Sequence, residues 1–427
     1  MKDIIKKLAE KKSINCDEAA LAMTYIMSGE ASEAFIAAFI MGIRINGETP
    51  EIIASCAEVM RTHATPIVCN DPNAIDIVGT GGDCSNTFNI STTAAFVIAG
   101  AGVTVAKHGS YGVSSLCGSA NVLDQLGINL NYSPDMMCRA LNTIGIAFLF
   151  APNLHPAMKY VVGTRRELGI WSLFNILGPI CNPANISRGL IGVFKSDLLS
   201  IVAEACKKMN GKHQLIVNGM DGLDEITTTS SSMIVELKED DIISMEFNPS
   251  EWNIPLATKE DLIGGNPEQN AKITRNILSG ELHGPKRDIV MINAAFTIYS
   301  AGIVDNPRDG LELAKESIDS GKALKKLEDC RGHRGLLFEN QSYDEYLISL
   351  GLTSKSEDIL ANVSESTDQL FDNCLLRDPE NPESLCGTLR PIGSKKWSGN
   401  SDIAEKWARR NFQSMEKEEE ALAKAYD

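Results

Sequence analysis

The chain has 427 residues, 43% of them hydrophobic, and carries 56 acidic against 40 basic side chains for a formal net charge of -16. This length allows two or three domains and a sizeable core, and the acidic balance excludes a passive binder of nucleic acid or anionic membrane. Eleven cysteines are scattered from Cys16 to Cys386 without a CxxC pair or companion histidines, which signals neither a disulfide framework nor a zinc site and suggests reduced thiols in a cytoplasm.

The opening "MKDIIKKLAEKK" interleaves charges with apolar residues as an amphipathic helix does. No later apolar run approaches the ~18 residues of a membrane span, so a soluble, untargeted protein is expected. Residues 1–72 read as helices only, with start signals at Asn15, followed three positions on by Glu18, and at Thr49 ahead of Pro50 and Glu51. They predict a small all-helical domain. From Ala74 the pattern changes: "AIDIVG" reads as a buried strand, "STTAAFVIAGAG" as a helix and "VTVA" as a second strand, a parallel crossover unit. The alternation continues through "GIAFLFA", the helix around "HPAMKYVVGTRREL", the strand "GLIGVF", the helix "DLLSIVAEACKKM" and the strand "QLIVNG". Helices at "NPEQNAKITRNILSG" and "KRDIVMINAAFTIYSAGI" lead to a last one ending near Leu327. The fold class is therefore α/β, with a large domain over residues 73–328 around a mostly parallel sheet.

After about Asp329 the composition shifts to linker-like segments such as "RDPENPES" and "IGSKKWSGNS". Residues 329–427 read as a partly helical extension. Its last helix starts at the capping pair Asp402 and Glu405, with Ile403, Trp407, Ala408, Phe412, Met415 and Leu422 at helical spacing, and packs on its own domain or binds a partner.

The chemistry concentrates behind the first strand, in "VGTGGDCSNTFNIST". Glycines let backbone N–H groups close on a ligand, and a nest of such groups with a following helix start favours an anion. Asp83 puts a carboxylate there, which repels a bare anion unless it serves a hydroxyl, a helix end or a metal. The next strand ends in "KHGSYGVSS", so Lys107, His108, Ser114 and Ser115 reach the same sheet edge. "DGLDEITTT" adds adjacent acids at Asp224 and Glu225, which are either solvated or a site for Mg²⁺, a cation that prefers few carboxylates plus substrate phosphate oxygens.

The segments "GTGGD", "NIST", "KHG", "SSLCGSANVLDQLG", "HPAMKYVVGTRRELGI", "FNILGPICNPA" and "DGLDE" follow one another in the order and spacing of the anthranilate phosphoribosyltransferases, which the chain resembles over about residues 1–328. The resemblance implies a helical domain and an α/β domain with the active site between them, a homodimer, and Mg²⁺-dependent transfer of a phosphoribosyl group to anthranilate in tryptophan biosynthesis. It implies that Gly79, Gly82, Asp83, Thr87, Asn89, Ile90, Ser91 and Thr92 hold phosphoribosyl pyrophosphate, with Lys107, Ser115 and Ser119 as further contacts. It implies Ser91, Asp224 and Glu225 as Mg²⁺ ligands, and Gly79, Ser110 and Arg165 on the acceptor side. His155 lines the acceptor channel or serves only as a cap. His108 orients the acceptor, handles a proton, or merely holds its loop.

The resemblance breaks at "KHGSY". Ser110 stands where the family has an asparagine that touches the acceptor, and Tyr111 replaces a cation near the phosphates. Two alternatives follow: a related transferase for another aromatic acceptor, or a non-catalytic binding or regulatory paralogue. A nucleoside phosphorylase of the same fold is disfavoured by the Asp224–Glu225 pair and the Arg165 segment.

Overall fold

The structure, a computed structural model, describes residues 1–112 and 117–331, and the backbone of a hairpin pairing Arg377–Asp378 with Asn381–Leu385. Ser114, Ser115 and the expected helix from Asp402 lie outside the described residues. Met1–Arg331 form one compact unit.

That unit opens with α1 (Lys2–Ala9), α2 (Cys16–Met27), α3 (Glu33–Asn46) and α4 (Pro50–Thr62). Asn15 closes the expected capping box with Glu18, and the Thr49 side chain accepts from the Ile52 amide. β1 (Ile75–Gly79), α5 (Ile90–Gly100) and β2 (Val105–Gly109) form the crossover read from the sequence. They are followed by α6 (Ser119–Gln125), α7 (Pro134–Thr143), β3 (Ile146–Phe150), α8 (Ala151–Leu154), α9 (Lys159–Leu168) and α10 (Leu173–Ile180). Next come β4 (Arg188–Gly192), α11 (Leu198–Lys208), β5 (His213–Gly219) and a hairpin of β6 (Ser232–Lys238) and β7 (Asp241–Phe247). The unit ends with α12 (Lys259–Leu262), α13 (Pro267–Leu278), α14 (Pro285–Ser300), α15 (Pro307–Asp319) and α16 (Lys322–Arg331). The final helix runs past the composition shift at Asp329, with Cys330 buried.

Among the described residues the main sheet has the order β3-β2-β1-β4-β5-β6-β7. Its first five strands are parallel and its last two antiparallel, so the mostly parallel sheet expected from the sequence is present, with a hairpin added that the sequence reading omits.

Strand periodicity explains how one sheet serves two cores. Leu215 and Val217 of β5 face a core built with α5, α13 and α14, whereas Ile216 between them joins a core on the opposite face. That second core contains the apolar stripes of α1–α4, together with Val161 of α9, Leu173 and Phe174 of α10, and Val202 of α11. The N-terminal bundle is therefore completed by helices far along the chain.

Candidate active site

The parallel strands deliver the candidate groups to one sheet edge. β1 and β4 pair with Gly79 opposite Gly192, and both glycines make room for Asp224 beyond the end of β5. A Cβ on Gly79 would collide with the Asp224 carboxylate, and one on Gly192 with the Asp224 carbonyl. Asp224 Oδ2 accepts the Gly81 amide at 2.8 Å, and Glu225 Oε1 accepts the Ser91 amide at 3.2 Å. Asp224 and Glu225 are thus tied to opposite ends of the segment that links β1 to α5, whereas Asp221 accepts from the Thr227 and Thr229 hydroxyls.

Lys107 enters the same space from β2. Only 3% exposed, it donates to the Ile77 carbonyl and lies 3.4 Å from Ser91 Oγ. Burial lowers its pKa, opposed by the charges of Asp76, Glu225 and Asp224. Burial raises Asp224, helped by the charge of Asp83, and raises Glu225, helped by the charge of Asp224. Confined carboxylates of this kind favour a cation. Among the described residues no group of three or more His, Cys, Asp or Glu gathers into a metal cage. Were Mg²⁺ held by Asp224 and Glu225, with Ser91 beside Glu225, most of its ligands would have to come from phosphate oxygens and water.

His108 and His155 meet with ring centroids 5.0 Å apart. His108 Nδ1 lies 3.0 Å from the Gly178 carbonyl, an arrangement that places the proton on Nδ1 and leaves Nε2 as a buried acceptor with no partner among the described residues. Among the described residues neither nitrogen of His155 has a hydrogen-bond partner. Burial, then the neighbouring His155, pushes His108 down to about 3, and burial pushes His155 down to about 4. Both rings are neutral at physiological pH. Arg165 lies on α9 with its guanidinium 5.4 Å from the Phe174 ring centre, and it has no ion pair among the described residues. Burial lowers its pKa.

Other candidates are engaged by neighbouring segments of the protein. The Asn89 side chain bonds the Cys117 carbonyl and the Asn270 amide, each at 3.0 Å, so it braces three segments. Ile90 and Thr92 are 2% and 1% exposed, so their side chains are packed in the core and do not face a ligand. The free amides expected at the start of α5 are partly spent, since Ser91 donates to Glu225 and Ile90 to the Phe88 carbonyl. Thr87 bridges to Ile263. Ser119 Oγ donates to the Ser110 carbonyl at 3.1 Å, in a space kept open because Gly109 has no Cβ. Tyr111 donates from its hydroxyl to Asp124 Oδ2 at 2.9 Å and rests edge-on against Phe150.

The sequence reading missed Asp76. Its Oδ1 accepts the His108 amide at 3.2 Å and its Oδ2 accepts Asn182 Nδ2 at 2.8 Å, while burial raises it to about 6. Its signal was an acid in the middle of the apolar strand "AIDIVG".

Family models for the glycosyl transferase helical bundle domain and the glycosyl transferase a/b domain match residues 2–64 and 71–324. An anthranilate phosphoribosyltransferase of Acetivibrio thermocellus is 46% identical over 329 residues, covering 77% of this chain and 95% of that protein. The chain belongs to the anthranilate phosphoribosyltransferase family. Another anthranilate phosphoribosyltransferase, from Moorella thermoacetica, is 47% identical over 77% of the chain and 96% of its own length. Among solved anthranilate phosphoribosyltransferases, that of Thermus thermophilus superposes with a TM-score of 0.74 at 37% identity, over 78% of this chain and 99% of its own. The Saccharomyces cerevisiae enzyme in complex with PRPP and Mg gives 0.72 at 27% identity, over 78% and 96%. The helical bundle and the mostly parallel α/β sheet are those of the family.

Proposed function

We propose that the chain transfers the 5-phosphoribosyl group of phosphoribosyl pyrophosphate to the amine of anthranilate and releases pyrophosphate, a reaction of tryptophan biosynthesis. The observation that carries this reading is the convergence of the glycine loop, Lys107 and the Asp224–Glu225 pair at one sheet edge. Asp224, Glu225 and Ser91 would hold Mg²⁺, which when bound supplies positive charge to phosphate oxygens. Gly81 and Gly82, with φ of +63° and +91°, turn the loop so that the amides after Gly81 can face the pyrophosphate. Lys107 adds a buried cation where the leaving group gathers negative charge.

The acceptor is an aromatic amine, unprotonated at neutral pH, so positioning supplies much of the rate. Arg165 is assigned to its carboxylate, and His108 Nε2 to an N–H of its amine. A ring held down to about 3 is a poor resting base. His108 therefore orients the amine rather than storing its proton. Gly79 and Ser110 complete the acceptor side, and Gly82, Asp83, Thr87, Ser115 and Ser119 the phosphoribosyl side.

The reading includes a homodimer in the cytoplasm. α9 packs on α2 and α3, and these helices carry exposed Leu21, Ile45, Tyr160 and Val162, an apolar set suited to a second copy. Among the described residues no helix is long and apolar enough to cross a membrane.

The test follows pyrophosphate release with phosphoribosyl pyrophosphate, Mg²⁺ and anthranilate. The wild type should turn over only with the cation present, and Asp224→Ala/Glu225→Ala should be inactive while keeping its circular dichroism. A fully active double variant removes the metal assignment, and a wild type that is silent with anthranilate but active with another aromatic amine moves the substrate.

A further inference from the structure

Trp171 lies in the connection between α9 and α10, and it touches three parts of the molecule at once. The Arg44 guanidinium of α3 stands 5.1 Å over its ring. Its ring meets Phe194, just beyond β4, with centroids 5.0 Å apart. Its edge abuts the glycine loop, since a Cβ on Gly82 would fall 3.1 Å from Trp171 Cδ1 and 3.8 Å from Phe194 Cδ1. Gly82 itself has φ +91°, so this backbone is both left-handed and pressed against an indole.

We infer that Trp171 is a positioning residue for the phosphoribosyl pyrophosphate loop, setting the position of Gly82 from the helical bundle through the Arg44 stack. The inference rests on the proposed phosphoribosyl transfer. A loop rich in glycine has many backbone states of similar energy, and a ligand that needs one of them loses affinity in proportion to its population. A rigid aromatic wall against Gly82 removes the states in which the loop falls back toward β4. The wall is itself held from behind by the Arg44 cation and from the side by Phe194. Among the described residues its indole Nε1 is buried without a hydrogen-bond partner, so the contacts with Arg44, Phe194 and the Gly82 backbone locate the ring. The effect should therefore fall on the phosphoribosyl substrate and spare the aromatic acceptor, which the His108 and Arg165 side is assigned to receive.

The experiment measures steady-state kinetics and calorimetric binding of phosphoribosyl pyrophosphate with Mg²⁺ for the full chain and for Trp171→Ala, Trp171→Phe and Arg44→Met. Trp171→Ala should raise KM and Kd for phosphoribosyl pyrophosphate about tenfold, while kcat and the KM for anthranilate stay within about threefold. Trp171→Phe keeps an aromatic wall and should recover most of the loss. Arg44→Met should move the same constant in the same direction by a smaller factor, and it carries the test if Trp171→Ala does not fold. The inference is overturned if the folded variants bind phosphoribosyl pyrophosphate as the wild type does. It is equally overturned if both KM values rise together as thermal stability falls, because that pattern marks a purely structural residue. A wild type that does not bind phosphoribosyl pyrophosphate with Mg²⁺ defeats the functional reading itself, a result distinct from either.

Discussion

The carboxylate of Asp224 fills the space beside Gly79 in which any larger residue would place its Cβ. The two residues are far apart in sequence, yet one strand position has been left without a side chain so that the other can reach the glycine loop. Gly79→Ala should displace Asp224 from the Gly81 amide and lower kcat/KM at least about a hundredfold, equal to roughly 2.7 kcal/mol of transition-state stabilisation. The fold should survive, because β1 keeps its pairing. Kinetics beside a thermal melt decide the matter, and near-normal turnover in a folded variant would show that Asp224 has another place to stand.

On the far side of β5 a separate cluster sets acid stability. Glu236 Oε1 lies 2.7 Å from both His213 Nε2 and the Tyr299 hydroxyl. Burial pushes the Glu236 carboxyl up, but these hydrogen bonds outweigh it and hold the group below its ordinary value. Because the folded value is depressed, the stabilisation is present above the unfolded carboxylate value near ~4.3 and is lost as pH falls through the folded one. Glu236→Gln should cost about 1–3 kcal/mol at neutral pH. The gap between denaturant melts of the two proteins should narrow as pH falls below ~4.3 and close once pH is below the depressed folded value. A gap that stays constant from neutral to acid would rule out the charged form as its source.

Tyr111 is held against α6 by the hydrogen bond from its hydroxyl to Asp124. An arginine introduced there meets Asp124, the partner of the present hydroxyl. Tyr111→Arg alone should therefore leave the KM for phosphoribosyl pyrophosphate within about twofold of wild type, and only the pair Tyr111→Arg/Asp124→Asn should lower it, a coupling that a double-mutant cycle reads directly. Ser110→Asn should act separately, on the KM for anthranilate. A full gain from Tyr111→Arg by itself would mean that Asp124 does not capture the guanidinium.

A chain ending after Arg331 should keep its fold and its transferase activity. Leu327 is 0% exposed and Cys330 4%, and Glu328 pairs with both Arg275 and Arg331, so α16 belongs to the core that it closes. Ending before Ala323 instead removes Leu327 and should cost several kcal/mol, by the ~2–5 kcal/mol of a lost buried leucine. Soluble expression and turnover of the two truncations test this. Inactivity of the longer one would assign the later residues a part in the site.

Much of the architecture was legible because each crossover has its own local signal: an apolar strand, a glycine or capping residue, then a helical stripe. β6 and β7 gave weaker signals. β7 is an edge strand whose "DIISMEF" alternates imperfectly and is largely exposed, so its pairing with β6 depends on the neighbour and not on its own pattern. Within the candidate site, Lys107, Asp224 and Glu225 could be nominated because each lies at or just after a parallel strand that ends on the same sheet edge as the glycine loop, and the family resemblance named the same residues. The inward turn of Asn89 and Thr92 was not legible. A polar residue at a helix start reads the same whether it meets a ligand or braces two loops, and only the packing of α5 against α13 and the Cys117 segment separates the cases. Asp76 and Trp171 escaped for a similar reason, since each acts through a neighbour that is distant in sequence.

The second core also governs the order in which the chain can assemble during synthesis. α1–α4 leave the ribosome first, but Val161, Leu173 and Phe174, which cover their apolar stripes, follow about a hundred residues later, a wait on the order of ten seconds at ~5–20 residues per second. Through that interval the bundle has helices but lacks its own closure. The nascent chain is therefore exposed between the release of α4 and that of α10, and the apolar stripes of α1–α4 are the surface a chaperone would have to protect through that interval.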